Sequence, residues 1–471
     1  MSLLKLYHRM PPPVRSLAAT LRGAYLWRWR YTAETDRLVA EALERDHWTP
    51  DQWHAYREER LAYVLHRAAT QVPYYREQWE QRRRRGDRAA WDMLQNWPIL
   101  EKETLRANPR AFVADDCNIS KMFHDHTSGT SGKPLDIYLK PETVRRWYAL
   151  VEARSRQWYG VSRHDRWAIL GGQLVAPIEQ QKPPFWVWNA AMHQLYMSSY
   201  HLAPPLIPHY LDALQRYRIA YVWGYTSALH ALAEEALHQG RDDVTLKVAI
   251  TNAEPVEDYQ REAISRAFHC PTRETYGMAE VVMAAGECEA GGLHLWPEVG
   301  WQEVVEGDQP LPPGTTGDLV STGLLNADMP LVRYRIGDRG ALAPPEDTCT
   351  CGRSLPLVSH IEGRVDDVLY TADGRRVGRL DPVFKAELPI REAQIVQEAL
   401  DRVRVRYVPA PGFTDADAQS IADRLRERMG PITVEFEALD AVPRTSSGKF
   451  RAVVCKLPPE EIARVTSQAR R

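Results

Sequence analysis

Thr127-Ser128-Gly129-Thr130-Ser131-Gly132-Lys133-Pro134 is the stretch on which the reading of the fold turns. Its two glycines let the backbone aim successive N–H groups at one point, its hydroxyls add donors, and Lys133 adds a positive charge. That combination suits a polyphosphate. It is not a Walker loop, because only two residues separate Gly129 from Gly132 and a proline follows the lysine. By itself a Ser/Thr/Gly run is more often a plain surface turn, so the flanking chain has to decide.

Outward from this stretch, between about 120 and 340, short apolar runs alternate with helical stretches, which predicts an α/β layered fold. Trp167 to Leu170 reads as a strand ending in Gly171-Gly172, and Val248 to Ile250 as another, followed by Asn252-Ala253-Glu254-Pro255. Ile219 to Trp223 reads as a strand leading through Gly224 and Tyr225 into a helix that Thr226 or Ser227 would cap. Open α/β sheets bind ligands just past the ends of such strands.

Towards the N-terminus, Leu38, Leu43, Trp53, Leu61, Val64 and Leu65 recur at helical spacing, with breaks at Pro73 and at Trp97-Pro98. Towards the C-terminus the pattern changes after Gly363. Val368 to Val377 resembles a hairpin turned at Asp373-Gly374, Val403 to Val408 and Ile432 to Phe436 alternate like strands, and Ala416 to Met429 reads as a helix stopped by Gly430. The expected organisation is a helical N-terminal region over 1–95, a core over 96–363 and a small α+β domain over 364–471.

A chain of 471 residues has room for two or three subdomains and a large buried interior. Its 60 basic and 62 acidic side chains nearly cancel, so no global field marks it for nucleic acid. The six scattered cysteines make no disulfide framework, and neither a bilayer span nor a signal-peptide apolar region is present. A cytoplasmic protein, monomer or homodimer, is the expectation. One asymmetry qualifies it: residues 1–33 hold Lys5, Arg9, Arg15, Arg22, Arg28 and Arg30 and no acid. Such an arm suits either an anionic membrane surface or packing on its own domain with solvated arginines.

With those patterns in hand, the loop at 127–134 resembles the phosphate-binding segment of adenylate-forming enzymes, TSGTTGKP, with Ser131 in place of a threonine. Four more segments follow in that superfamily's order, and the likeness spans roughly residues 60 to 455. Tyr276-Gly277-Met278-Ala279-Glu280 is similar to YGxTE, which implies that Tyr276 packs on adenine and Glu280 holds Mg2+. Tyr334-Arg335-Ile336-Gly337-Asp338 is similar to YRTGD, whose aspartate, here Asp338, accepts from the ribose hydroxyls. Gly363-Arg364-Val365-Asp366-Asp367 resembles the interdomain hinge, placing Asp366 at the pivot and Arg364 beside the nucleotide. Pro443-Arg444-Thr445-Ser446-Ser447-Gly448-Lys449 resembles the C-terminal segment whose lysine, here Lys449, enters the site during adenylation.

The branch most resembled is that of the phenylacetate-CoA ligases. The opening, with Pro11-Pro12-Pro13 and Val72-Pro73-Tyr74-Tyr75-Arg76, is closer to members attributed to capsular polysaccharide biosynthesis. The resemblance implies attack of a carboxylate on the α-phosphorus of ATP, with Lys133, Glu280, Arg364 and Lys449 meeting the developing charge. Thr127, Ser128, Gly129, Thr130, Ser131, Gly132, Asn252, Ala253, Glu254, Tyr276, Gly277, Met278 and Asp338 would bind the nucleotide, and Gly224 and Tyr225 would line the acid pocket. Trp186 or Trp188 would supply an aromatic wall unless they are core residues. Transfer to coenzyme A is the expected second step. An amine or sugar acceptor is the alternative, and a silent nucleotide-binding scaffold a third reading, opposed by the joint presence of Glu280, Asp338, Arg364 and Lys449.

Cys288, His294, Cys349 and Cys351 form a separate group. Three thiolates and an imidazole match a structural zinc set, although the C-x5-H and C-x-C spacings are unusual. Four unconnected residues, with cysteines acting as small apolar groups, is the plain alternative. The resemblance favours zinc.

Overall fold

Period-two alternation of large side chains builds the central sheet. In the strand Trp167–Gly171, Ala168 and Leu170 face one side, where they join Val222 and Ala249 in an apolar cluster, while Trp167 joins Tyr221, Val248 and Ile250 on the other. The computed structural model describes residues 3–126, 135–171, 173, 175–177, 180, 182–202, 205–364, 369–372, 376, 377, 380, 383, 388–409, 411–440, 442 and 453–468. The turn expected at Asp373-Gly374 and the segment Pro443 to Lys449 lie outside these.

The sheet has eight strands, in the spatial order Leu293–Leu295, Ala284–Glu287, Thr272–Gly277, Val248–Asn252, Tyr221–Tyr225, Trp167–Gly171, Gln194–Ser198 and Trp186–Asn189. The five from Thr272–Gly277 to Gln194–Ser198 are mutually parallel, and antiparallel strands flank them on both sides. Helices Ile207–Arg216, Thr226–His238 and Asp258–Phe268 cover one face through Leu211, Leu214, Leu229, Leu232, Ile264 and Phe268. This is the layered α/β arrangement that alternating strand and helix patterns dictate.

A second sheet, in the order Gln309–Pro310, Gly300–Glu306, Gly317–Gly323, Tyr334–Leu342 and Val358–Arg364, carries the segment around Asp338. Gly300 and Gly317 are needed there for space: a Cβ at Gly300 would stand 1.8 Å from the Val282 carbonyl oxygen, and one at Gly317 would stand 2.5 Å from that of Val305.

The N-terminal helices include Pro12–Arg30, Ala33–Arg45, Pro50–Gln71 and Pro73–Arg84. Thr49 caps the third of these in a reciprocal box with Gln52, and proline opens the third and fourth, where its missing N–H costs nothing. Val39, Ala42, Leu65, Ala68, Tyr75 and Trp79 bury their apolar stripes in the same core as Leu135, Leu150 and Tyr334.

Among the described residues two compact units result, a large one over 3–126, 135–336 and 340–361, and a smaller one over 337–339 and from 362 onward. The smaller has its own sheet, in the order Thr433–Ala438, Arg402–Pro409, Ile390–Ala399 and Val453–Cys455, backed by helix Asp415–Met429. Gly430, at φ 88°, ends that helix. Its core joins Leu369, Ile395, Val403, Val405, Ile421 and Leu425.

Two local expectations are corrected. The strand predicted from Ile219 begins at Tyr221 and continues through Gly224 to Tyr225. Thr226 does not cap the helix that follows: it is the first helical residue, and its buried hydroxyl donates instead to the carbonyl oxygen of Glu254 at 3.0 Å. Trp186 and Trp188 are partly buried at the sheet edge and pack against the apolar cluster there, Trp188 stacked on Tyr217 at 5.1 Å. Two strands separate them from Tyr221–Tyr225.

Candidate active site

Three neighbouring parallel strands end side by side, and their ends carry the residues that the sequence singles out. Tyr221–Tyr225 delivers Gly224 and Tyr225, Val248–Asn252 delivers Asn252 and then Ala253 and Glu254, and Thr272–Gly277 delivers Tyr276 and Gly277 and then Met278 and Glu280. Side chains tie the ends together: the Thr226 hydroxyl donates to the Glu254 carbonyl, and the Thr275 hydroxyl donates to the Thr251 carbonyl at 2.8 Å. Gly224 has no room for a side chain, since a Cβ would meet the Leu170 carbonyl oxygen and Cβ, each at 2.9 Å.

The backbone at these ends is strained. Ala253 has φ 61° and Val281, a β-branched residue, has φ 53°; Arg333, just before Tyr334, has φ 47°. Non-glycine residues enter this region at a cost of order 1–3 kcal/mol each, and such outliers gather at functional sites. Asn252 Oδ1 is buried with no hydrogen-bond partner. An orphaned acceptor of this kind suits a ligand donor such as the amino group of adenine.

Glu280 lies at the centre of this region, with only 5% of its surface exposed. Lys102 Nζ stands 2.8 Å from Glu280 Oε1, and the Tyr334 hydroxyl donates to the same oxygen at 3.0 Å. Burial works to raise the carboxyl pKa, but the Lys102 charge and the hydrogen bonds outweigh it and hold Glu280 below the usual carboxylate range. The contact is built by the backbone: the Leu100 N–H donates to the Arg333 carbonyl at 2.9 Å and the Arg335 N–H to the Leu100 carbonyl at 3.0 Å. Lys102 then opens the short helix Lys102–Ala107 facing the site. Sequence reasoning missed Lys102; only the pairing of Leu100 with Tyr334 brings it there. The carboxylate is an anionic oxygen already holding a cation, the donor chemistry that Mg2+ requires.

Asp338 is half-buried in the strand Tyr334–Leu342, just after Gly337, whose φ of 90° only glycine adopts readily. The backbone of Arg364 ends the strand Val358–Arg364; its side chain lies outside the described residues. Thr127, Ser128, Gly129, Thr130, Ser131, Gly132, Lys133, Asp366 and Lys449 lie outside them as well.

The four residues of the expected zinc set come together. The ligand atoms of Cys288, His294, Cys349 and Cys351 all lie within 4.8 Å of one another. The Cys288 and Cys349 sulfurs are 3.4 Å apart, and Cys351 Sγ is 3.3 Å from His294 Nε2. A tetrahedral zinc with Zn–S bonds of about 2.3 Å would space its sulfurs by about 3.8 Å, so small adjustments would close a shell. His294 Nδ1 lies 3.0 Å from the Leu355 carbonyl oxygen, an arrangement that fixes the ring and directs Nε2 at the cysteines. Burial lowers the His294 pKa, which favours the neutral, ligating imidazole. Two tight turns present the thiols: the Gly291 N–H donates to the Cys288 carbonyl and the Gly352 N–H to that of Cys349. A Cβ on Gly292 would stand 2.8 Å from Cys349 Sγ, so this cradle exists only with glycine there.

Comparison with known proteins agrees with this architecture. A family model, the CapK C-terminal domain, matches residues 369–456. Protein CapK of Staphylococcus aureus is 25% identical over 458 residues, covering 95% of this chain and 98% of that protein. Phenylacetate-coenzyme A ligase of Thermus thermophilus is 27% identical over 476 residues, covering 90% and 99%. Among solved structures, 2-hydroxyisobutyryl-CoA ligase in the postadenylation state in complex with 2-HIB-AMP shares the fold, with a TM-score of 0.57 at 21% identity over 90% of this chain and 94% of that one. With its motifs in the superfamily's order and its relatives matched end to end, the chain belongs to the acyl-adenylate-forming superfamily, in the phenylacetate-CoA ligase-like branch.

Proposed function

We propose that this protein is an AMP-forming acid ligase, which activates an aryl or apolar carboxylic acid with ATP and passes the acyl group to coenzyme A. The observation that carries this reading is the convergence of Asn252, Tyr276 and Glu280 at adjacent strand ends, with a buried carboxylate already paired to a cation. In the first step an oxygen of the substrate carboxylate bonds to the α-phosphorus and the bond to pyrophosphate breaks. In the second, the thiol sulfur bonds to the acyl carbon, AMP leaves, and the thiol proton passes to solvent.

In this reading Tyr276, Gly277 and Met278 hold adenine with Asn252, Ala253 and Glu254, and Asp338 holds the ribose. Thr127 to Lys133 cradle the phosphates, while Arg364 and Lys449 meet charge that grows in the transition state. Mg2+ on Glu280 would neutralise the phosphate oxygens. Gly224 and Tyr225 line the acid pocket, and Asp366 is the pivot of a small domain over 364–471. The Cys288, His294, Cys349 and Cys351 set would hold a structural zinc ion, supported by the closeness of its ligand atoms.

The names of the phenylacetate-coenzyme A ligases support coenzyme A as acceptor. An amine or sugar acceptor, as in polysaccharide biosynthesis, is the second reading, supported by the likeness of Pro11-Pro12-Pro13 and Val72 to Arg76 to members attributed to capsular polysaccharide biosynthesis. We place the enzyme, as monomer or homodimer, in the cytoplasm, with its basic N-terminal arm at the periphery of a membrane.

Pyrophosphate exchange across a panel of carboxylic acids tests the first step. One acid class should support exchange, and Lys449→Ala should remove most of it; wild-type-like exchange in that variant would refute the lysine's role. Product formation that proceeds with an amine or sugar and without coenzyme A would select the second reading.

A further inference from the structure

The helix Pro12–Arg30 has two faces of unlike chemistry. Its inner face is bolted to the sheet edge. The Trp188 N–H donates to Ser16 Oγ at 3.2 Å, and the Ala190 N–H donates to Thr20 Oγ1 at 3.1 Å. Arg15, buried, donates to the Val175 carbonyl at 3.2 Å and to Gln180 Oε1 at 3.0 Å. Gly23 lies so close to Asn189 that a Cβ would stand 2.1 Å from its side-chain oxygen. The helix is thus held in a fixed rotation over the edge strand Trp186–Asn189, which would otherwise be open.

That rotation leaves an apolar stripe facing outward. Val14, Leu17, Leu21 and Tyr25 recur at helical spacing and are 43%, 58%, 65% and 67% exposed. With Leu6 they make up five of the eight exposed large apolar side chains among the described residues. A patch so concentrated marks an interaction surface. The cations sit beside it: Arg28 continues the stripe, Arg22 flanks it, and neither is in an ion pair among the described residues. No acid occurs before Glu34.

From this face we infer an in-plane docking site for an anionic lipid bilayer: Val14, Leu17, Leu21 and Tyr25 enter the headgroup region while Arg22 and Arg28 meet lipid phosphates. It deepens the peripheral placement proposed above by naming the face and the lipid class, and it stands apart from the adenylation chemistry. Charge complementarity chooses the occupant. A protein partner would be served by the apolar stripe alone, whereas an apolar stripe whose charged neighbours on the helix, among the described residues, are cations is the signature of a helix at an anionic interface. From Val14 to Arg28 the stripe runs about 21 Å, long enough to lie along a surface. No helix among the described residues is long and apolar enough to cross a membrane, so contact is in the plane.

Flotation of the full chain with vesicles tests this. The protein should float with phosphatidylcholine vesicles containing phosphatidylglycerol, should not float with phosphatidylcholine alone, and should be released by high salt. Leu17→Ser/Leu21→Ser/Tyr25→Ser should reduce flotation to background. Arg22→Gln/Arg28→Gln should weaken partitioning about 25-fold, at roughly fivefold per arginine. Both variants should keep the wild-type melting temperature, since all five positions are exposed. Equal or absent binding to the two vesicle types, or wild-type flotation of the triple variant, would overturn the inference. So would self-association in sedimentation velocity that the triple variant abolishes without any lipid binding, which would give the face to a second copy. Pyrophosphate exchange in solution, free of vesicles, reads the adenylation proposal separately.

Discussion

A buried carboxylate has to be paired, and at Glu280 the partner is Lys102, 2.8 Å away, with the Tyr334 hydroxyl sharing the same oxygen. Because the pair holds the Glu280 carboxyl below its ordinary value of 4.5, it contributes stability that is fully present above that pH and is lost as pH falls through the lowered pKa. Lys102→Met should therefore lower the melting temperature at pH 7 and converge with wild type in acid, a pattern that thermal melts from pH 3 to 8 would check. A parallel pair of melting curves would mean that Lys102 acts through packing. If Glu280 also holds Mg2+, Glu280→Gln should cut pyrophosphate exchange on the order of a hundredfold, and at pH 7 it should lower the melting temperature as Lys102→Met does, because glutamine keeps the volume and still accepts from Tyr334 but removes the charge that pairs with Lys102. Exchange within a few-fold of wild type would remove Glu280 from the metal. At this scale the sequence was half legible. Glu280 stands out through its motif, whereas Glu101-Lys102-Glu103 reads as any charged helix start, and only backbone pairing between Leu100 and Tyr334 gives Lys102 its place.

Strands whose two faces are both buried announce themselves by apolar runs, so Trp167–Gly171 and Val248–Asn252 were legible almost to the residue. The start of Tyr221–Tyr225 and the role of Thr226 were not, because a hydroxyl at a helix start caps the helix or bonds across a loop according to what the neighbouring strand end presents. The strand Thr272–Gly277 also carries a group that no motif flags. Burial, reinforced by the nearby Glu287, pushes the Glu274 carboxyl up to about 7, against the partial opposition of Arg261. A raised carboxyl pKa means that the folded chain binds its proton more tightly than the unfolded chain does. Stability contributed by Glu274 is thus lost as pH rises from about 4.5 to about 7. Glu274→Gln should flatten this dependence and stabilise the protein above pH 7 by ~2 kcal/mol after allowance for partial solvent screening. Denaturant midpoints at pH 5 and pH 8 would decide it, and an unchanged difference between them would count against the group. The turn before His294 yields a further prediction: Gly292→Ala, which would drive a methyl group into Cys349 Sγ, should lower the zinc content of purified protein below that of wild type. Wild-type protein found free of metal by elemental analysis would dismiss the site.

Across the molecule, the feature least visible in sequence is the charge network that fastens the N-terminal helices to the core. Periodicity shows that Ala33–Arg45 is amphipathic but not what its end meets. Arg154, fully buried in helix Pro141–Ser155, donates to Asp46 Oδ1 at 2.8 Å and to both oxygens of Glu298 at 2.7 and 2.9 Å. Trp158 Nε1 adds a bond to Asp46 at 2.7 Å, and Arg45 a second cation to Glu298 at 3.0 Å. Three ions taken out of water hold one another, so the set gains little over an apolar core, yet losing one member strands the others. Arg154→Met should therefore cost about 3–5 kcal/mol, since it leaves Asp46 and Glu298 buried with too little positive charge. By contrast, the exposed pair Arg84 and Glu80, at 3.4 Å, should be worth under about 1 kcal/mol when Arg84→Ala removes it. Chemical denaturation of both variants would test the contrast. If Arg154→Met were as mild as Arg84→Ala, water would have to reach the stranded carboxylates, and the N-terminal helices would be held to the core by apolar packing and by other pairs such as Arg145 with Glu34 and Arg67 with Asp328.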